Sequence, residues 1–127
     1  MKIGEASKNT GLSYHTLRYY EELGLIRNIE RDGKGNRNYS EADIKWISFL
    51  LSLRNTGMPL GSIIYYAELY YSGDDSIPKR IELLSNYKCA LAKERDRLQE
   101  SIDFLENKLE FYNDKLNSIN TNRKTCL

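Results

Sequence analysis

The side chains that most often carry catalysis are scarce in this sequence. His15 is its single histidine, and Cys89 and Cys126 are its two cysteines. The histidine has no cysteine, aspartate or serine at a recognisable partner spacing, so no nucleophile–base pair is visible and an enzyme is not expected. The cysteines stand far apart and match no metal-ligand or redox motif, so they read as free thiols, and no metal or cofactor is implied. What the sequence does supply is cations in company. Tyr14, His15, Thr16 and Arg18 fall together, and Arg27, Arg31, Lys34 and Arg37 surround a glycine-containing turn. Guanidinium and ammonium groups bind phosphate oxygens, and an arginine fork also matches a guanine edge. The chemistry these residues suit is recognition of double-stranded DNA.

Such residues need elements that hold them on one face. Ile3 to Asn9 reads as a short helix with Ile3 and Ala6 turned inward. Thr10-Gly11-Leu12 is a turn, and a second helix opens at Ser13, a residue whose hydroxyl can cap it, and runs to Leu23. Leu17, Tyr20 and Leu23 form its apolar stripe. Tyr14, His15, Thr16 and Arg18 face outward, where the second helix of such a motif meets the major groove. Arg18 suits either a guanine edge or a phosphate, and Tyr19 either a phosphate or packing. Gly24 ends the helix. Leu25–Ile29 and Asn36–Tyr39 read as two short strands around Asp32-Gly33-Lys34-Gly35, whose two glycines would supply positive φ. A helix-turn-helix followed by a basic-tipped hairpin is a winged helix-turn-helix.

LRYYEELGLI, followed by R-x-x-G-x-R-x-Y and a new helix, resembles the DNA-binding domain of the MerR family of bacterial transcription regulators. The likeness runs from Met1 to Gly57. It implies that Arg37 and Tyr39 are directed at DNA from the wing and that Arg54 contacts the DNA backbone. It also implies control of transcription by distortion of an over-long promoter spacer, so that RNA polymerase engages both promoter elements. The alternative is an excisionase-like architectural protein that bends DNA without activating transcription. Such proteins generally lack a long dimer helix, and the residues from Ile77 onward argue for one.

Ser40 caps a helix to about Thr56, with Asp43 at its third position and Ile44, Ile47, Leu50, Leu51 and Leu53 buried. Pro59 opens another from Leu60 to Ser72, rich in tyrosine. Tyr65, Tyr66 and Tyr70 suit either an effector pocket or packing. After Gly73-Asp74-Asp75, heptad spacing takes over. Ile77, Ile81, Leu84, Leu91, Leu98, Ile102, Leu105, Leu109, Tyr112, Leu116 and Ile119 fall on one seam, interrupted only by Lys88 and Arg95. A lone helix cannot bury such a seam, so a homodimer through a coiled coil is expected. The family resemblance makes the pairing antiparallel.

The expected architecture is therefore mostly α. A winged helix-turn-helix DNA-binding domain with a helical extension spans residues 1–72, a coiled-coil dimerisation helix spans 76–119, and a flexible tail spans 120–127. Net charge is only +1, so DNA affinity must come from placement of a few cations in two copies. The polar start is not a signal peptide and no apolar run reaches the roughly 20 residues of a membrane span, so a cytoplasmic protein with no membrane contact is expected. DIKWISFLLSLRNTGMPL resembles the aldehyde- and thiol-stress branch of the family, but Ser52 stands where that branch carries a cysteine. A small-molecule effector is left without an identity, as are the operator and the sign of regulation.

Overall fold

The computed structural model describes residues 1–125, with side chains through Asn120. It falls into two units, Met1–Leu84 and the remainder from Ser85. In the first, α1 (Ile3–Thr10) and α2 (Tyr14–Glu22) form the helix-turn-helix, β1 (Glu30–Arg31) and β2 (Arg37–Asn38) the wing, and α3 (Glu41–Asn55) and α4 (Leu60–Ser72) the support beneath them. A 3-10 turn, Asp74–Ser76, leads into α5 (Ile77–Thr125).

Local chemistry fixes each boundary. Gly11 at φ 76° ends α1 in a left-handed conformation that costs glycine little. Ser13 caps α2, its Oγ accepting from the Thr16 amide at 3.1 Å. Ser40 and Asp43 form a reciprocal capping box, the Ser40 amide donating to Asp43 Oδ2 at 2.8 Å and the Asp43 amide to Ser40 Oγ at 3.1 Å. Leu17, Leu25, Ile47 and Leu50 are the largest fully buried side chains of the core. On α3 the buried face narrows to Ile47, Leu50 and Leu53, with Ile44 and Leu51 half-buried.

The wing departs from the sequence expectation. Leu25–Ile29 is not a strand, and pairing begins at Glu30, with Glu30 opposite Asn38 and Arg31 opposite Arg37. Other partners have taken the backbone groups a strand would need. The Leu25 and Ile26 amides both donate to Tyr20 O, at 2.9 and 3.3 Å, closing the end of α2. Leu25 O accepts from Trp46 Nε1 at 2.8 Å, and the Arg27 amide donates to the Tyr71 hydroxyl at 3.1 Å. Leu25 and Ile26 are both buried, whereas a wing strand with one face in solvent would bury only one of two neighbours. Asn28 then turns the chain at φ 61°. At the tip only Gly35 has positive φ, 82°, and Gly33 does not. Asp32 does the rest, its Oδ1 accepting from the amides of Lys34 at 2.9 Å and Asn36 at 3.0 Å. Those two donors hold its carboxyl below the usual range.

The α4–α5 corner is an ordered bend. Ser76 is buried and donates to Leu69 O and Gly73 O, while Arg80 Nε donates to Ser76 Oγ at 3.0 Å. The first two turns of α5, as far as Leu84, therefore belong to the N-terminal unit. In the second unit α5 is a single helix that continues through Thr125, past the expected end of the coiled coil at Ile119. Cys126 and Leu127, the end of the expected tail, lie outside the described residues. No described helix is long and apolar enough to cross a membrane.

Candidate nucleic-acid interface

α2 presents Tyr14, His15, Arg18 and Tyr19 on its exposed face. Tyr14 lies across α1 so closely that a Cβ at Gly4 would meet its hydroxyl at 3.0 Å. Thr16 is half-buried and its hydroxyl is paired with Ser13 at 2.9 Å, so it completes the helix cap beside the outward residues.

The wing folds back against this helix. Lys34 is exposed at its tip. Arg37 is not free in solvent. It binds Glu21 of α2 through Nε and Nη2, both 2.8 Å from Oε2, with 22% and 27% of the two side chains exposed. That bond holds the guanidinium protonated more firmly than usual. Tyr39 is 3% exposed, and burial pushes its hydroxyl pKa up. It packs under the wing in this state, which limits what it offers to a ligand. Its amide donates to Met1 O at 2.6 Å, which brings the start of the chain alongside β2.

That last contact creates something the sequence did not disclose. Lys2 joins Arg18, Arg31 and Arg37 around a cleft of about 280 Å³ floored by Gly35 and Asn36. Nothing in the local spacing of Lys2 marks it as functional, because its neighbours arrive from the wing. Arg54 is exposed on α3 and donates Nη1 to the Tyr20 hydroxyl at 3.0 Å. It stands at an apolar cavity of about 320 Å³ whose walls include Tyr19, Leu50, Met58 and Ile63.

The tyrosines of α4 meet an unforeseen partner, Trp46. Tyr70 stacks on it at 4.0 Å between ring centroids, Tyr66 at 6.1 Å, and Tyr71 meets it edge-on at 5.7 Å. Tyr66 and Tyr70 are thus engaged in packing, while Tyr65 is exposed and outside this stack. Ser52 is exposed on α3 and donates to Ser48 O at 3.1 Å. Cys89 is an exposed free thiol, and no group of three His, Cys, Asp or Glu suited to a metal occurs among the described residues.

A helix-turn-helix, a wing and a basic cleft joining them define a winged helix-turn-helix DNA-binding protein. Residues 1–68 match the family model described as MerR HTH family regulatory protein, and the chain belongs to that family of transcription regulators. It is 41% identical over 112 residues to an uncharacterised HTH-type transcriptional regulator of Haemophilus influenzae, covering 85% of this chain and 80% of that protein. Its fold is similar to that of HiNmlR, a MerR family regulator lacking the sensor domain, solved bound to promoter DNA. The TM-score is 0.74 at 38% identity, over 89% of this chain and 90% of that one. A MerR family transcriptional regulator from Listeria monocytogenes superposes with a TM-score of 0.80 at 33% identity, over 97% and 98% of the two chains. Binding of promoter DNA as a homodimer, with distortion of the DNA, is typical of the family.

Proposed function

We propose that this regulator binds a palindromic promoter operator as a homodimer paired through α5. The observation that carries the reading is the convergence of Lys2, Arg18, Arg31 and Arg37 on one cleft between α1, α2 and the wing. The cations of Lys2, Arg18 and Arg31, with Arg37 beside them paired to Glu21, suit a phosphate backbone crossing that cleft. Tyr14 and His15 then face base edges in the major groove, with Arg18 and Tyr19 beside them. Lys34 reaches the backbone from the wing tip, and Arg54 reaches it from α3. Tyr39 supports the wing from below.

Two such faces on one duplex contribute enough phosphate contacts to offset the cost of bending, so that an over-long spacer becomes readable by RNA polymerase. Polymerase is engaged through the DNA. An effector would act on the populations of the bent and relaxed complexes, in the cytoplasm where promoter DNA lies. Footprinting on the promoter region beside the protein's own gene tests this. The expected result is two-fold-symmetric protection spanning a promoter spacer, with enhanced cleavage at its centre. Protection of one half-site only, or none near a promoter, would overturn it.

A further inference from the structure

The cavity beside Arg54 is built in a way that contact with DNA does not require. Leu25, Leu50, Met58 and Ile63, each 4% exposed or less, form its apolar floor. Arg54 stands exposed at its mouth and forms no ion pair among the described residues. Tyr20, 6% exposed, lines the same cavity, and its hydroxyl accepts from Arg54 Nη1 at 3.0 Å. A hydroxyl that accepts keeps its own proton to donate, and no acceptor for that proton stands among the described residues. A cation and a buried O–H donor therefore meet, without an anion, at the edge of an apolar hollow of about 320 Å³.

A backbone phosphate would satisfy those two donors and leave the hollow behind them empty. An unfilled apolar cavity is destabilising, and water placed in it would find few polar partners. Small-molecule sites have this size and this make-up, an apolar pocket with a few placed polar groups. We propose that the cavity binds a short amphiphilic monocarboxylate, its hydrocarbon body on Leu25, Leu50, Met58 and Ile63 and its carboxylate on Arg54 and Tyr20. The planar carboxylate matches the arginine fork, and its remaining lone pairs take the Tyr20 proton. A neutral body would leave the guanidinium uncompensated, and a cationic one would be repelled by it. The thioether of Met58 lets the floor adapt to the length of the body.

The site is complete on a single chain and needs no DNA. Its consequence rests on the placing of Arg54 at the DNA backbone proposed above. Carboxylate and phosphate then compete for one guanidinium, so occupancy of the cavity weakens operator and random duplex alike, because a backbone contact carries no sequence information.

Octanoate titrated into the full chain without DNA tests the site. Met58 is one of only two methionines, so its methyl resonance is easily assigned, and it should shift saturably. Affinity should rise about fourfold per methylene from butanoate to octanoate. Arg54→Gln should weaken octanoate about tenfold and Tyr20→Phe about fivefold, while octan-1-ol binds all three proteins equally. A Met58 methyl that does not move up to roughly 10 mM octanoate overturns the site, and so does undiminished octanoate binding by Arg54→Gln. In anisotropy on a random duplex at matched ionic strength, octanoate should weaken binding of wild type but not of Arg54→Gln. Octanoate that shifts Met58 and leaves duplex affinity unchanged overturns the competition. A chain that binds octanoate but no duplex overturns the reading of Arg54 at DNA and leaves the carboxylate site standing.

Discussion

The Glu21–Arg37 pair turns the wing's arginine from a simple phosphate ligand into half of a neutral couple, and this can be read in a salt titration. With Oε2 held at 2.8 Å by both Nε and Nη2, the carboxylate cancels most of the field that Arg37 would project onto a phosphate. Replacing Glu21 by Gln keeps a hydrogen-bonding side chain and removes the charge, leaving one uncompensated cation per chain. If Arg37 then neutralises one phosphate in each half-site, the log–log salt slope of the dimer steepens by about 1.8, at about 0.9 per phosphate. Between roughly 50 and 200 mM salt that amounts to about a twelvefold larger loss of affinity than wild type shows. Arg37→Ala does the opposite: it leaves Glu21 facing the backbone, weakens operator and scrambled duplex alike, and flattens the slope. The double variant removes both charges and should fall close to wild type. Fluorescence anisotropy across the salt series on both duplexes measures all three. Equal slopes for wild type, Glu21→Gln and Arg37→Ala would refute the placement of Arg37 at a phosphate. The pair would then be only a tie between α2 and the wing.

Arg54→Ala should lower the dimer's salt slope by roughly two if Arg54 meets one phosphate per chain; an unchanged slope in the same assay would remove it from the interface. Leu98→Asp with Leu105→Asp puts charge into the α5 seam, so sedimentation at micromolar concentration should show a monomer, and an unchanged dimer would locate the interface elsewhere. Trp46→Ala deletes the stack under Tyr70 and the donor to Leu25 O, and thermal unfolding should report a loss of about 3 kcal/mol; a loss below about 1 kcal/mol would show that the stack is not stabilising. Asp32 has a depressed folded pKa, so its contribution to wing order is present above the unfolded value of about 3.9 and is lost as pH falls through the folded one. The Lys34 and Asn36 amide resonances should titrate together with a midpoint below about 3.9, and a midpoint above it would contradict the two amide bonds to Asp32.

The helices were legible because their signals are local. Ser13 and Ser40 cap where their sequences say they should, α4 spans the expected Leu60–Ser72, and the family pattern around Arg18 to Tyr39 sits on a helix and a wing. The misplaced first strand failed for a non-local reason. Leu25 to Ile29 carries β-prone residues, but Tyr20, Trp46 and Tyr71 had already claimed the backbone groups that pairing needs. The basic cleft was hidden in the same way: Lys2 acquires meaning only because the chain's first residue lies beside Tyr39. The Glu21–Arg37 bond spans 16 residues between elements whose relative position no periodicity specifies.

These long-range ties also explain how a DNA-binding protein manages with a net charge of +1. Several of its arginines are committed to holding the DNA-facing elements in place. Arg27 donates to Gly24 O at 2.8 Å and lies over the Tyr71 ring, fixing the exit from α2. Arg37 fastens the wing to α2, and Arg54 links α3 to Tyr20 of that same helix. Each of these contacts reduces the conformational freedom that binding would otherwise have to remove. On the reading proposed above, Arg18 and Lys34, exposed on the frame so built, meet DNA with little ordering cost. A surface with more cations but no such frame would raise nonspecific and specific affinity together, because phosphate attraction carries no sequence information. The low charge and the rigid wing therefore favour the same result: a smaller share of affinity from the backbone, and a larger share from shape and base edges.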